Sequence, residues 1–210
     1  IESDALESLA LNGGFLGLVA VIELALAAAI AGAGAGGGLH ALLLVLWAGF
    51  TVLLGWRYFR SYRRWCDARL WLTHDLVERM VGHRTRLAQE PREHWHDGED
   101  QALDHYHEVS ASMDRRAALL TALAPRGWLI VGILALTPAF VSGSGSTAAL
   151  AVGIGGTLLA FRALQRLVAG LRSLVGAGVA WKQVAPLFHA AARPQLNGTP
   201  SPASDGRTVI

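Results

Sequence analysis

Cysteine is nearly missing from this chain of 210 residues: Cys66 stands alone. An intrachain disulfide, a thiolate zinc site and dithiol redox chemistry are thereby excluded, and Cys66 reads as a packing residue. Lysine is as scarce, since 17 of the 18 basic side chains are Arg. Charge of either sign makes up only 16% of the residues, against roughly 25% in an average globular chain. Hydrophobic residues make up 52%, glycine occurs 24 times, and the mean hydropathy is +0.37. The shortage of charge is local. Residues 24–56 and 127–161 contain no Asp, Glu, Lys or Arg, whereas 57–126 hold 23 of the 34 such residues. That distribution excludes a collagen, a disulfide scaffold, a disordered tail and a water-soluble enzyme, and identifies a membrane protein.

A bilayer core takes roughly 20 apolar residues per helix, so uncharged runs of 33 and 35 residues each suit two spans joined by a tight turn. Both runs carry one. Gly32-Ala33-Gly34-Ala35-Gly36-Gly37-Gly38 interrupts the first and Ser142-Gly143-Ser144-Gly145-Ser146 the second, compositions that break a helix and tolerate positive φ. Four spans follow, at about 14–31, 39–56, 127–141 and 147–161. Arg57, Arg60, Arg63 and Arg64 follow the second span, Arg115, Arg116 and Arg126 precede the third, and Arg162, Arg166 and Arg172 follow the fourth. The positive-inside rule puts these in the cytoplasm and the uncharged turns outside. The expectation is a multi-pass protein of the cytoplasmic (inner) membrane with both termini cytoplasmic. The first residues, with Glu2, Asp4 and Glu7 and no cation, argue against that placement of the N-terminus. The chain starts with Ile, lacks a basic n-region with a cleavage site, and reads as a piece of a longer polypeptide.

Residues 57–126 are expected as a cytoplasmic helical hairpin. From 57 to 90 there is no proline, and at about 1.5 Å per residue that stretch would reach roughly 50 Å beyond the membrane. Pro91 interrupts it, Asp97-Gly98 marks a further break, and Leu103, Tyr106, Ser110, Met113, Ala117 and Leu120 then recur at coiled-coil spacing. Asp100, Asp104 and Glu108 lie opposite as a solvated stripe. Two helices running out and back are expected, with a crosspiece over 91–100 at the tip and Pro125 ending the returning helix. The fourth span should continue well into the cytoplasm. From 194 to 210 the composition, rich in Pro, Ser, Gly and Asn, is that of a linker, so the domain is expected over 1–193.

This arrangement resembles the transmembrane domain of an ATP-binding cassette exporter, specifically the last four spans of a six-span unit. The resemblance rests on LVERMVGHRTRLAQEP (76–91), WHDGEDQALDHY (95–106), Asp114-Arg115 and GGTLLAFRALQRLVAGLRSLVGAGVAWKQVAPLF (155–188). It implies an all-α membrane fold of the type IV exporter kind. The crosspiece would be a coupling helix seated on a nucleotide-binding domain through Pro91, Trp95, His96, Asp97, Gly98 and Glu99, and the last helix would lead to that domain through a pre-cassette segment with Ala180, Val184 and Leu187-Phe188. It also implies a second transmembrane unit, as a homodimer or heterodimer, and a cassette on the same or another chain. With the lipid bilayer these are the expected partners; nucleic acid is not among them. No GxxxxGK[ST] phosphate loop, LSGGQ-type signature or switch histidine occurs. No catalytic residue is therefore assigned, no cofactor is expected on this chain, and ATP and Mg would belong to the cassette of an ATP-hydrolysing parent protein. The function expected is the coupling of ATP hydrolysis to export by alternating access. The alternatives are a membrane signal-transducing domain relaying a signal to a cytoplasmic effector and a histidine-bearing metal carrier.

Six of the eight histidines fall within 74–107 and form two HxH pairs. Residues i and i+2 of a helix point about 200° apart, so neither pair chelates while helical and no metal site is assigned. Glu23, alone in the first span, and Arg162 with Arg166, one turn apart at the end of the fourth, are the candidate cavity residues. Intramembrane charges face cavities or polar partners, while arginines near span ends also serve as snorkelling anchors. Gly132, Pro138, Gly153, Gly155 and Gly156 are either hinges or sites of close helix packing. His40, beside the glycine turn, reads as an interfacial residue.

Overall fold

The computed structural model of the protein describes residues 14–89, 99–143 and 145–191. These form helices α1 (Leu16–Ala33), α2 (Gly37–Gln89) and α3 (Glu99–Ala118), a π-helical turn (Leu119–Leu123), and helices α4 (Ala124–Val141) and α5 (Thr147–Ala191). No strand occurs among the described residues. Four segments, within Leu16–Ala33, Gly37–Gly82, Asp100–Val141 and Thr147–Val179, are long and apolar enough to cross a membrane, with mean hydropathies of 1.6 to 2.3. The chain is an all-helical, multi-pass membrane protein. Helix α2, with 53 residues, measures roughly 80 Å, and α5, with 45, roughly 68 Å. A hydrocarbon core of about 30 Å takes less than half of either, so both project from the arginine-rich end of the bundle.

The ends opposite the arginines, outer in the expected topology, are set by glycine. Helix α1 closes with Gly34 N–H on the carbonyls of Ile30 (3.0 Å) and Ala31 (3.3 Å), and Gly37 adopts φ +54° to start α2. Between α4 and α5, Gly143 adopts φ +63° and the Ser146 hydroxyl caps α5 by accepting from Ala149 N–H at 3.1 Å. The two turns are joined, since Ala35 N–H donates to the Ala149 carbonyl at 2.9 Å.

Helix α1 packs chiefly along α5, and the contact is made of small residues. Ala20, Ala27 and Ala31 are fully buried on α1, as are Ala160 and Ala163 on α5. A Cβ on Gly34 would lie 2.7 Å from Gly153 Cα, and one on Gly156 would lie 2.9 Å from Ala31 N. Backbones so close gain dispersion contact that lipid cannot offer. Of the glycines that read as hinge or packing positions, Gly153 and Gly156 lie in this seam and Gly132 presses on Thr157 Cγ2. Gly155 has no neighbour within 4 Å of its Cβ position. Large side chains such as Leu18, Val21, Ile22 and Leu26 stay exposed on the outer face of α1, where acyl chains solvate them.

At the arginine-rich end a second cluster joins Tyr58, Leu120, Ala124, Val168 and Val175, with Met113 and Ala117 packed against it. Here the structure corrects two expectations. Pro125 does not end the returning helix: it occupies the first turn of α4, where a missing N–H is tolerated. The helix passes through it by way of the π-helical turn, with Thr121 Oγ1 donating to the Ala117 carbonyl at 2.8 Å. Leu103 does not face the seam. It is exposed, and Ala102 is buried instead, because α3 lies close enough to α2 that the smaller residue fits beneath it. Asp100, Asp104 and Glu108 are exposed, as the sequence implied. The crosspiece residues Pro91, Trp95, His96, Asp97 and Gly98 lie outside the described residues, as does the linker, and Glu99 is the first residue of α3.

Candidate functional site

Two polar assemblies lie in the bundle: one toward the arginine-rich end is partly exposed, the Arg166 and Glu23 side chains being 47% and 21% accessible, and one toward the opposite end is fully buried. The inner one follows from the antiparallel register of α1 and α5. Gly34 sits on Gly153 and Ala31 on Gly156, which puts Glu23 level with Leu164, between Arg162 and Arg166. Arg166 Nη1 donates to Glu23 Oε1 and forms an ion pair with it. The structure thus brings two of the three candidate cavity residues into contact across 143 residues of sequence. At about 1.5 Å per residue, Glu23 lies roughly 15 Å along α1 from its end at Ala33. The Arg166 guanidinium is held on this carboxylate while its side chain stays 47% accessible. The pair is only half satisfied, because Glu23 Oε2 is buried and has no hydrogen-bond partner among the described residues.

Arg162 lies one turn nearer the outer face on the same side of α5. With Gln165, Arg166 and Ala169 it lines a shallow, open depression of about 400 Å³. No hydrogen bond or ion pair engages Arg162 among the described residues. The depression therefore presents one free guanidinium, one guanidinium shared with Glu23, and an amide.

The outer assembly was not legible in the sequence. His40 is fully buried rather than interfacial, a correction that follows from the tightness of the α1–α2 turn: Gly36 has no side chain to hold the imidazole out, and its Cβ position lies 2.7 Å from His40 Nδ1. The ring lies 5.7 Å, centroid to centroid, from Trp128, and His40 Nε2 is 3.3 Å from Thr157 Oγ1. Thr157 donates its own proton to the Gly153 carbonyl at 2.9 Å, so the hydroxyl is left to accept from His40 Nε2–H. Trp128 Nε1–H donates to the Thr157 carbonyl at 3.2 Å. One hydroxyl and one indole thus tie α2, α4 and α5 together. Below them Trp47 Nε1–H donates to the Ala124 carbonyl at 2.7 Å, linking α2 to the start of α4. Residues 24–56 and 127–161 bring no acidic or basic group that could face the imidazole. No signal in the sequence pairs His40 with a threonine 117 residues away.

Among the described residues no group of three His, Cys, Asp or Glu side chains is placed to hold a metal ion, and His105 and His107 both face outward on α3. The coupling residues Pro91 to Gly98 fall outside the described residues. Comparison of the chain with protein-family models, curated proteins and solved structures gives no match.

Proposed function

We propose that this chain is the transmembrane part of an ATP-driven exporter of the type IV cassette kind, coupling hydrolysis on a nucleotide-binding domain to export by alternating access. The observation that carries the reading is the unequal reach of the helices. Among the described residues α1 has 18, about the length of one crossing, whereas α2 and α3 run past that length as a hairpin packed through Ala102, Met113 and Ala117, and α5 packs with them at Val175 and continues to Ala191. A paired rod and a prolonged last helix on one side of a membrane are parts that carry displacement from outside the bilayer to groups within it. In this reading ATP and Mg bind the cassette, residues 91–99 seat on it, and a second transmembrane unit completes the cavity that Glu23, Arg162 and Arg166 line. An intramembrane ion pair with an open oxygen supports a cavity there, since charges in lipid persist where they meet water, a ligand or one another.

The test is accessibility of Gln165→Cys, in a background with Cys66 replaced by Ser, in inside-out vesicles carrying the complete polypeptide. Without nucleotide a charged thiol reagent should label position 165 from the cytoplasmic side. ATP with vanadate should slow that labelling severalfold, and ATP without Mg should not. A rate indifferent to nucleotide would reject the reading in favour of a static anchor or a signal relay.

A further inference from the structure

We propose that the depression on α5 formed by Arg162, Gln165, Arg166 and Ala169 binds the anionic phosphate or carboxylate headgroup of a membrane amphiphile, and that Glu23 is the internal anion that occupies Arg166 when the site is empty. Arg162 and Arg166 are one turn apart, neighbours on one helix face, so one headgroup can meet both guanidinium forks. Guanidinium suits this because it binds two oxygens of a phosphate or carboxylate through paired N–H donors. Gln165 adds an amide between them.

Charge and depth choose the ligand class. With Arg166 neutralised by Glu23, the site carries the single uncompensated positive charge of Arg162, which has no partner among the described residues. Such a charge below the headgroup level is costly in lipid, and a monoanion that enters with its own acyl chains removes that cost. The surroundings favour an amphiphile over a soluble anion. Along the same exposed side of α5, Ile154 and Leu158 are 51% and 52% exposed, so a chain attached to a headgroup at Arg162 would lie on apolar surface. At about 1.5 Å per residue Arg162 is roughly 22 Å from Thr147, toward the arginine-rich end of the apolar part of α5 and so toward the leaflet adjoining that end. An amphiphile of that leaflet reaches it by lateral diffusion.

The role of Glu23 carries the distinguishing consequence. Its Oε1 holds Arg166 while Oε2 stays buried without a donor among the described residues, so the carboxylate competes with the incoming headgroup for the same guanidinium. Removing its charge should strengthen anion binding, whereas a purely structural ion pair would give the opposite or no effect. The proposal deepens the export reading by naming the class of cargo and rests on it only for the word cargo, since binding is measured without nucleotide or transport.

The experiment uses the detergent-solubilised complete protein and titrates phosphatidylglycerol, phosphatidylcholine and inorganic phosphate, with binding read by native mass spectrometry and folding checked by thermal unfolding. Phosphatidylglycerol should bind at least tenfold more tightly than phosphatidylcholine. Arg162→Gln should abolish that preference, Arg162→Lys should retain part of it, and Glu23→Gln should tighten phosphatidylglycerol binding threefold or more. Equal binding of the two lipids, or an unchanged preference in folded Arg162→Gln, overturns the site. Displacement of phosphatidylglycerol by millimolar inorganic phosphate overturns the amphiphile in favour of a free anion. Weakened binding in folded Glu23→Gln overturns the competing role of Glu23; should that variant not fold, the Arg162 pair decides. A positive result here with nucleotide-insensitive labelling at position 165 would leave a lipid site on a protein that is not an exporter.

Discussion

Gly156→Ala isolates what holds α1 on α5. The added methyl would sit 2.9 Å from Ala31 N, 3.1 Å from its Cα and 3.3 Å from its Cβ. Two of those atoms are backbone, so no rotamer change relieves the contact and α1 must back away from α5. Overpacking of this kind costs about 1–3 kcal/mol, set against a helix-propensity gain of at most about 1 kcal/mol for replacing glycine by alanine. The net expectation is a loss of about 0–2 kcal/mol, and of about 1–3 kcal/mol relative to a variant that has the propensity gain without the clash. Gly155→Ala is the matched control, one residue away, with no atom within 4 Å of the new methyl; it keeps the propensity gain and loses nothing. Gly153→Ala is intermediate, because its methyl would meet Leu136 Cδ2 at 2.8 Å, the movable end of a side chain. Unfolding in mixed micelles of increasing denaturing-detergent fraction ranks the three against wild type. If Gly156→Ala is as stable as Gly155→Ala, the seam is not close-packed and the register that brings Glu23 beside Arg166 loses its support.

Thr157→Val removes the acceptor for His40 Nε2–H in a fully buried site and should cost about 1–3 kcal/mol, while Thr157→Ser should restore most of it in the same unfolding assay; equal stability of the two would show that the hydroxyl does not matter. Met113→Asp puts an unpaired charge against the Tyr58 and Leu120 cluster. Membrane insertion should persist while limited proteolysis near Arg115 accelerates, and unaltered protease sensitivity would count against a packed hairpin. Cysteines at Ala35 and Ser144, in a background without Cys66, should react with an impermeant reagent added outside intact cells, and one at Gln101 only after permeabilisation; external labelling at position 101 would reverse the topology.

The helices were legible because their causes are one-dimensional. Two charge-free runs with a glycine-rich or Gly/Ser turn in each specify two hairpins wherever the surrounding medium is apolar, and Gly37 and Gly143 adopt the positive φ that such turns require. Contacts between distant residues were less so. Glu23 and Arg166 each stood out as a costly charge, but their meeting depends on the register between α1 and α5, which small residues set through backbone distances. His40 was misread because proximity to a turn does not determine the side to which a side chain points; that depends on Gly36 leaving room and on Thr157 and Trp128 arriving from two other helices. Pro125 was misread because the cost of a missing N–H depends on its place in the helix, and the π-helical turn before it restarts the hydrogen-bond ladder.

The two ends of the bundle differ in how they resist displacement. At the outer end a backbone hydrogen bond joins the two turns, glycine backbones touch, and the hydroxyl of Thr157 with the indole of Trp128 fixes α2, α4 and α5 to one another. These contacts resist sliding, because the hydrogen bonds are directional and the glycine seam leaves its backbones no room to shift. At the arginine-rich end α1 meets α5 through one half-satisfied ion pair beside the packed Ala20, Ala27, Leu164 and Leu167, and α3 joins α4 through a π-helical turn, a segment whose looser hydrogen bonding often marks functional sites. The contacts of that end are mainly apolar, among them Tyr58, Met113, Leu120 and Val168, surfaces that shift past one another at less cost than a buried hydrogen bond breaks. Relative movement of the α2–α3 rod against the α1–α5 pair should therefore begin at the arginine-rich end, with the outer turns as the fixed point, and its first event inside the bilayer would be a change in how Arg166 is shared between Glu23 and whatever fills the depression beside it.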